Sequence, residues 1–367
     1  MRVPSAAGLL AAPRGRRLCL EVALAAEPDL VPVVHDAERA FHADDGSVRV
    51  LRVGVGADEP LPPPTGLMQV RRALDGIRAE AVDAVLADDA AVLACLAATV
   101  DDAMYWQAPS ARDALASRAE VEEGLAVVAD RIAADGLLAR WSTSSFGAGW
   151  RVEFDVDVSG TVRFRDPDAV LAEWRDDTAH DEASARVADV QGRVVERTSG
   201  TWWSFPTCLP SASEAFAEVP CGLALVEDAL GWERALVSPT RGAGRVLDLD
   251  EKSWVTLCRR HPIDVTSSRR ADWGRATGRD GRWVIPDWAE VAREWNAVRL
   301  SIAQYLVLAG RPLPVDEMSA SLIAGWGPGV TRWLTDGVKV VGEPRVWVRG
   351  RRPAAAGGWL RADPPQG

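Results

Sequence analysis

The distribution of tryptophan constrains this chain more than any other feature. All 16 tryptophans lie from Trp106 onward, and the residues before them are rich in Ala, Leu and Val. Within residues 67–107 the run AVDAVLADDAAVLACLAATVDDAMYW sets Leu and Val in one stripe with acids opposite, the pattern of a bundle helix. Apolar residues recur at helical spacing from Gly15 to Ala40, with Pro32 near the start of the second of two expected helices. A further helix is expected from about Arg112 to Ala134, closed by Gly136. Residues 1–138 therefore read as an all-helical domain, interrupted by a Pro-rich break at 57–65.

Beyond residue 138 the pattern changes to short alternating runs bounded by Gly, Pro and Ser. Arg140–Thr143, Trp150–Val156 and Gly160–Phe164 read as strands, followed by a polar helix from Asp168 to about Glu196. Thr201–Phe205 repeats the look of Arg140–Thr143, which suggests a duplicated hairpin unit. Gly222–Glu227 and Trp232–Val237 flank Asp228–Gly231 as a hairpin would. Arg245–Leu249, Ala320–Trp326, Thr331–Leu334 and Arg345–Val348 are further strands. The expected fold class is α+β: the N-terminal helical domain, then a Trp-rich, mainly antiparallel α+β domain over 139–350, then a disordered Pro/Ala/Gly-rich tail at 351–367.

A net charge of −11 argues against nonspecific binding to nucleic acid or to an anionic membrane. Cys19, Cys95, Cys208, Cys221 and Cys258 are odd in number and scattered, which suits reduced thiols and a cytoplasmic location. No run approaches the ~18 apolar residues of a membrane span. His35 and His42 share a helix face without a third ligand, so no metal site is expected.

The densest chemistry lies between Arg269 and Arg311. Arg269, Arg270, Arg275, Arg279 and Arg282 alternate with Gly274, Gly278 and Gly281, and Trp273 and Trp283 flank the run. Guanidinium groups make paired bonds to phosphate or carboxylate, and indole faces stack on bases, so Arg269, Arg270, Trp273, Arg279 and Trp283 are the candidate ligand-binding residues. The competing reading is a solvated loop pinned by two core tryptophans. After it, Asp287 is expected to start a helix whose Trp288, Val291, Ala292 and Trp295 form one apolar face, and Ala297–Ile302 to alternate as a strand. The acids around Asp228, namely Glu227 and Glu233, are the candidate catalytic groups, because paired carboxylates divide acid and base roles when burial raises one of them. Cys258 and His261, at i and i+3, read as a core thiol and a helix cap.

The runs PRGRRLCLE from Pro13, Tyr105–Gln107, Leu225–Asp228 with Gly231–Trp232, and SRRADWGRATGRDGRWVIPDW from Ser268 resemble those of an uncharacterised family of proteins from high-GC actinobacteria. That resemblance implies a full-length cytoplasmic protein. The order of pieces from Trp254 through Trp288, Asn296–Val298, Gly325–Gly327 and Thr331–Leu334 is more faintly similar to ADP-ribosyltransferase-like domains, which implies an NAD-binding cleft. Where that likeness would place an acid after Gly325–Trp326, the chain has Gly327.

The functional expectation is an intracellular binding or interaction protein whose Arg/Trp loop holds a small, nucleotide-like anion, with a protein partner as the other class of ligand. The alternative is an NAD-consuming, ADP-ribosyltransferase-like enzyme with NAD as cofactor or substrate. No residue pattern decides for or against catalysis.

Overall fold

The computed structural model describes residues 3–43, 65–143, 147–154, 164–190, 200–350 and 358–362, with the side chains of 40–43 and 190 excepted. The proposed strand Gly160–Phe164 and the 57–65 break lie almost wholly outside the described residues.

The N-terminal region is helical, as its composition requires, running from Ala6–Leu10 to Leu137–Ser142. Local chemistry sets its boundaries. Asp88 accepts the amides of Ala90 and Ala91 and so starts Asp89–Asp101, dividing what reads in sequence as one long helix. Gly136, at φ 89°, ends Ala126–Asp135 in the left-handed conformation. Helix Pro13–Ala26 opens with proline at its first position and is central: Arg14, Arg17, Leu18, Cys19, Leu20, Val22, Ala23 and Leu24 are all buried. A Cβ at Gly15 would lie 2.2 Å from the Leu9 carbonyl oxygen, so only glycine lets Ala6–Leu10 cross there.

The C-terminal region is built on a nine-stranded sheet. Its order is Trp359–Arg361, Arg345–Arg349, Arg234–Gly242, Ala148–Phe154, Ser211–Ser213, Val330–Trp333, Ala297–Leu300, Val246–Asp248, with Val338–Val340 also pairing Arg234–Gly242. Every pairing is antiparallel except Val246–Asp248 with Ala297–Leu300. A second sheet joins Leu313–Pro314, Ser319–Ser321, Arg282–Pro286 and Pro262–Asp264. The fold is α+β, with the helices first and a mainly antiparallel sheet after them. One continuous apolar core runs from Leu9 to Trp359, and helix Ile302–Leu308 packs against Ala6–Leu10, Pro13–Ala26 and Leu137–Ser142.

Several local expectations are overturned. Arg140, Trp141 and Ser142 belong to helix Leu137–Ser142, which Thr143 caps, with Trp141 buried in the core, and Thr201–Phe205 forms no strand, so the two segments are not a duplicated hairpin. Gly222–Glu227 begins in a short helix, Cys221–Ala224, and Arg234–Gly242 pairs instead with Ala148–Phe154. Most of the supposed Arg/Gly loop is helix Thr266–Thr277. The helix at Asp287 is short, Trp288–Val291, although Asp287 does accept the amides of Ala289 and Glu290. The apolar run after Ser301 is a helix because the Ser301 hydroxyl accepts the Gln304 amide and caps it. Within 351–367, Trp359–Arg361 pairs with Arg345–Arg349.

Arg299 ties these pieces together. Its buried guanidinium donates to Glu214 at 2.6 Å, to Asp248 at 2.8 Å and to the Thr143 carbonyl at 2.8 Å, joining the sheet to the last N-terminal helix. Replacing Arg299 with Met leaves two neighbouring carboxylates without their cation. Chemical denaturation is expected to show a loss of about 2–4 kcal/mol, discounted for the partial exposure of both acids.

Candidate functional site

The residues singled out in sequence do not meet in one place. Trp273 and Trp283 are wholly buried and pack edge to face at 5.3 Å, and the Trp273 indole donates to the Trp202 carbonyl at 2.9 Å. Both indoles are core. Arg269, 2% exposed, is buried beside Asp181, Glu182 and Asp272, and Arg270 lies 3.4 Å from Asp189; both turn toward helix Pro167–Val190. Glu182 also accepts the amides of Ser267 and Ser268, capping helix Thr266–Thr277. Arg279 stacks on Trp283 at 4.8 Å and donates to the carbonyls of Arg282 and Met318. Each arginine of the candidate set thus faces acids or carbonyls of the chain itself, and each tryptophan is enclosed.

Glu233 is exposed at the start of strand Arg234–Gly242. Glu227, by contrast, is buried, at 8% exposure. Its segment leaves helix Cys221–Ala224 and turns through Asp228, at φ 50°, and Gly231, at φ 76°. Asp228 is anchored by the Trp106 indole, which donates to it at 2.9 Å. The Gly325 amide donates to Oε2 of Glu227 at 2.5 Å. Position 325 requires glycine twice over: its φ is +81°, and a Cβ would lie 2.2 Å from Cδ1 of Trp203.

Burial raises the Glu227 carboxyl to about 8, against the lowering effects of the Tyr305 hydroxyl, the Gly325 and Trp326 amides and the Arg14 charge. The Tyr305 hydroxyl lies within reach of both the buried Glu227 carboxyl and the Tyr105 hydroxyl. An acid in this state is mostly protonated at neutral pH, and can donate a hydrogen bond from one oxygen while Oε2 keeps its amide.

Glu227 lines a cavity of about 480 Å³. Trp150, Phe154, Trp203, Trp232 and Trp326 supply aromatic wall, and Phe154 and Trp232 stack at 4.3 Å with nearly parallel rings. Arg332, from the middle of strand Val330–Trp333, is on the same wall. Its guanidinium lies over Phe205 at 4.5 Å, its Nε is buried without a partner, and burial lowers it to about 10. Among the described residues no carboxylate pairs with it. The cavity therefore joins stacking surface, a protonated acid and an uncompensated cation. Neither Arg270 nor Trp273 lines it.

Sequence reasoning singled out Glu227 but missed Arg332 and Tyr305. The one local signal for Arg332 is a charge between Thr331 and Trp333 in mid-strand. Among the described residues no three His, Cys, Asp or Glu side chains converge as metal ligands, and no helix is long and apolar enough to cross a membrane. Cys258 is a core thiol, pushed up to about 12 by burial. Comparison of the chain with family models, with curated proteins and with solved structures gave no match.

Glu227 gives a stability signature. A carboxyl raised from 4.5 to about 8 on folding contributes stability that is complete below pH 4.5 and is lost as pH rises toward 8, because the native state then holds a proton that the unfolded chain has released. Glu227→Gln copies the protonated form. Relative to wild type it is expected to melt similarly at pH 5 and to be more stable at pH 8.5 by roughly 3–5 kcal/mol. Equal melting differences at both pH values would show that Glu227 does not titrate in this range.

Proposed function

We propose that this is an intracellular small-molecule binding protein, and that the Trp-lined cavity around Glu227 and Arg332 holds a flat ligand bearing an acidic group. The observation that carries this reading is the presence, in one aromatic cavity, of a buried carboxyl and a guanidinium without an acid. Burying a guanidinium without an acid is costly, and a ligand that accepts from it beside the protonated carboxyl would relieve that cost. Indole faces suit a planar ring, so the nucleotide-like anion expected from the sequence is now assigned to this cavity. Four of the five cysteines are buried and all are free, which supports a reducing compartment.

Tryptophan fluorescence and thermal shift, titrated with NAD, ADP-ribose, ATP, GTP and flat aromatic acids, test this directly. A saturable response is expected for at least one of them, weakened about tenfold or more by Arg332→Ala, since a charged hydrogen bond of this kind is worth ~1.5–3 kcal/mol. Arg270→Ala is expected to leave it unchanged. A flat response throughout, or loss with Arg270→Ala but not with Arg332→Ala, would remove the assignment.

A second reading, the NAD-consuming transferase, draws on Glu227. Cleaving a glycosidic bond needs a carboxylate beside the developing sugar cation, so turnover by Glu227 would rise with pH through about 8 as the acid ionises. Nicotinamide release that follows this profile and disappears in Glu227→Gln is the result that would favour it over simple binding.

A further inference from the structure

Adjoining the Glu227 cavity is a smaller one of about 160 Å³, and the two share Phe154, Val226 and Trp232. Aromatic rings form much of its wall. Phe154, the last residue of its strand, stacks on Trp232 at 4.3 Å and meets Trp359 at 5.8 Å. Ala97, Ala98, Ala224 and Ala229 line the cavity with methyl groups only, which keeps the space open. An apolar cavity of about 150 Å³ accepts benzene, so this one has room for an apolar side chain of that size.

One acid and one cation complete the lining, and neither has an ion-pair partner among the described residues. Asp101 stands in the last turn of helix Asp89–Asp101, which contains no basic residue, although a helix favours positive charge at that end. Arg14 donates to the Thr99 carbonyl there, but it is committed to Asp113 and does not line this cavity. Asp102, next in sequence, is held by Arg17 at 2.7 Å. Partial desolvation and then Asp102 raise the Asp101 carboxyl, and Arg349 opposes them from beyond ion-pair distance. Arg349 comes from the sheet. It ends strand Arg345–Arg349, lies across from Trp359 in the pairing with Trp359–Arg361, and holds its guanidinium 5.8 Å from that ring. Both charged side chains are exposed, so a molecule entering the cavity can reach them.

We infer that this cavity binds a free α-amino acid with an apolar side chain, its ammonium on Asp101, its carboxylate on Arg349 and its side chain against Phe154, Trp232 and Trp359. An acid and a guanidinium that do not meet each other fit the two ends of a zwitterion. A ligand of one charge would be repelled by one of them. Ring faces suit both the apolar side chain and the ammonium beside it. The site does not rest on the reading of the Glu227 cavity, because Glu227 and Arg332 are outside its lining.

Isothermal titration with L-leucine and with L-phenylalanine, each beside its N-acetyl and its amide derivative, tests it. At least one free amino acid is expected to bind with Kd below about 1 mM, and about fivefold or more tighter than either of its derivatives, a modest factor because exposed charges pair weakly. Asp101→Asn is expected to erase the preference over the N-acetyl form, and Arg349→Gln the preference over the amide. Arg332→Ala is expected to keep both preferences. Amide hydrogen exchange locates the site without any variant: the amino acid is expected to protect the end of helix Asp89–Asp101 and strand Trp359–Arg361. Absent binding of both amino acids, derivatives that bind as tightly, protection confined to other segments, or preferences that survive Asp101→Asn and Arg349→Gln would each overturn the inference.

Discussion

Ser204 is the contact on which the aromatic core turns. Its hydroxyl donates to the Ala324 carbonyl at 3.0 Å and accepts from the Ala324 amide and the Trp326 indole, while its own carbonyl accepts from the Trp288 indole. Trp254, Trp288 and Trp326 pack on one another around it at centroid distances of 5.7–6.0 Å, and Trp254 donates in turn to Ser321. Indole is large and apolar with one obligatory donor, so three of them can be buried together only where acceptors are built in. Fixing Ala324 and Trp326 also fixes Gly325 between them, and with it the amide that holds Glu227. The acid of the candidate site is therefore positioned by the core itself, not by a mobile loop.

Charge is handled in two ways across the molecule. Arg299 and Arg17 are buried with acids on more than one side, and these networks join elements distant in sequence. Arg332 instead lines a cavity with no carboxylate of the described residues paired to it. A buried guanidinium paired with acids is structural, whereas one that lines a void without an acid is placed for an acceptor that the chain does not supply. The Arg269–Trp283 stretch differs from that cavity in being closed: Arg269 also has buried nitrogens without hydrogen-bond partners, but acids stand beside it. Its guanidinium-rich composition is that of an anion site, but its tryptophans are enclosed and its arginines face acids and carbonyls of the fold.

Much of the secondary structure was legible because its signals are local. Gly136 as a helix stop, Asp287 as a cap, the strand around Trp150 and the helix beginning near Asp168 all depend on a few adjacent residues. Short segments failed where two periods fit equally well. Four residues with one buried tryptophan satisfy a strand or a helical turn, and at Trp141 the helical core decided the matter. The Gly222–Val237 hairpin failed for another reason: strand Arg234–Gly242 finds a longer partner in Ala148–Phe154, more than 80 residues earlier, and alternation within a strand carries no information about which strand it will pair with.

By itself the sequence determined the fold class, because alanine-rich helical spacing before Trp106 and alternating aromatic runs after it admit few other layerings, and it determined that an acid stands at Glu227 and a cation at Arg332. Only the tertiary structure decided what those groups are. Glu227 meets the amide of a residue 98 positions away, and Arg332 reaches a void walled by strands from the whole C-terminal region. Burial sets the protonation of the first and leaves the second without an acid, and burial is a property of the packed whole that no local pattern encodes.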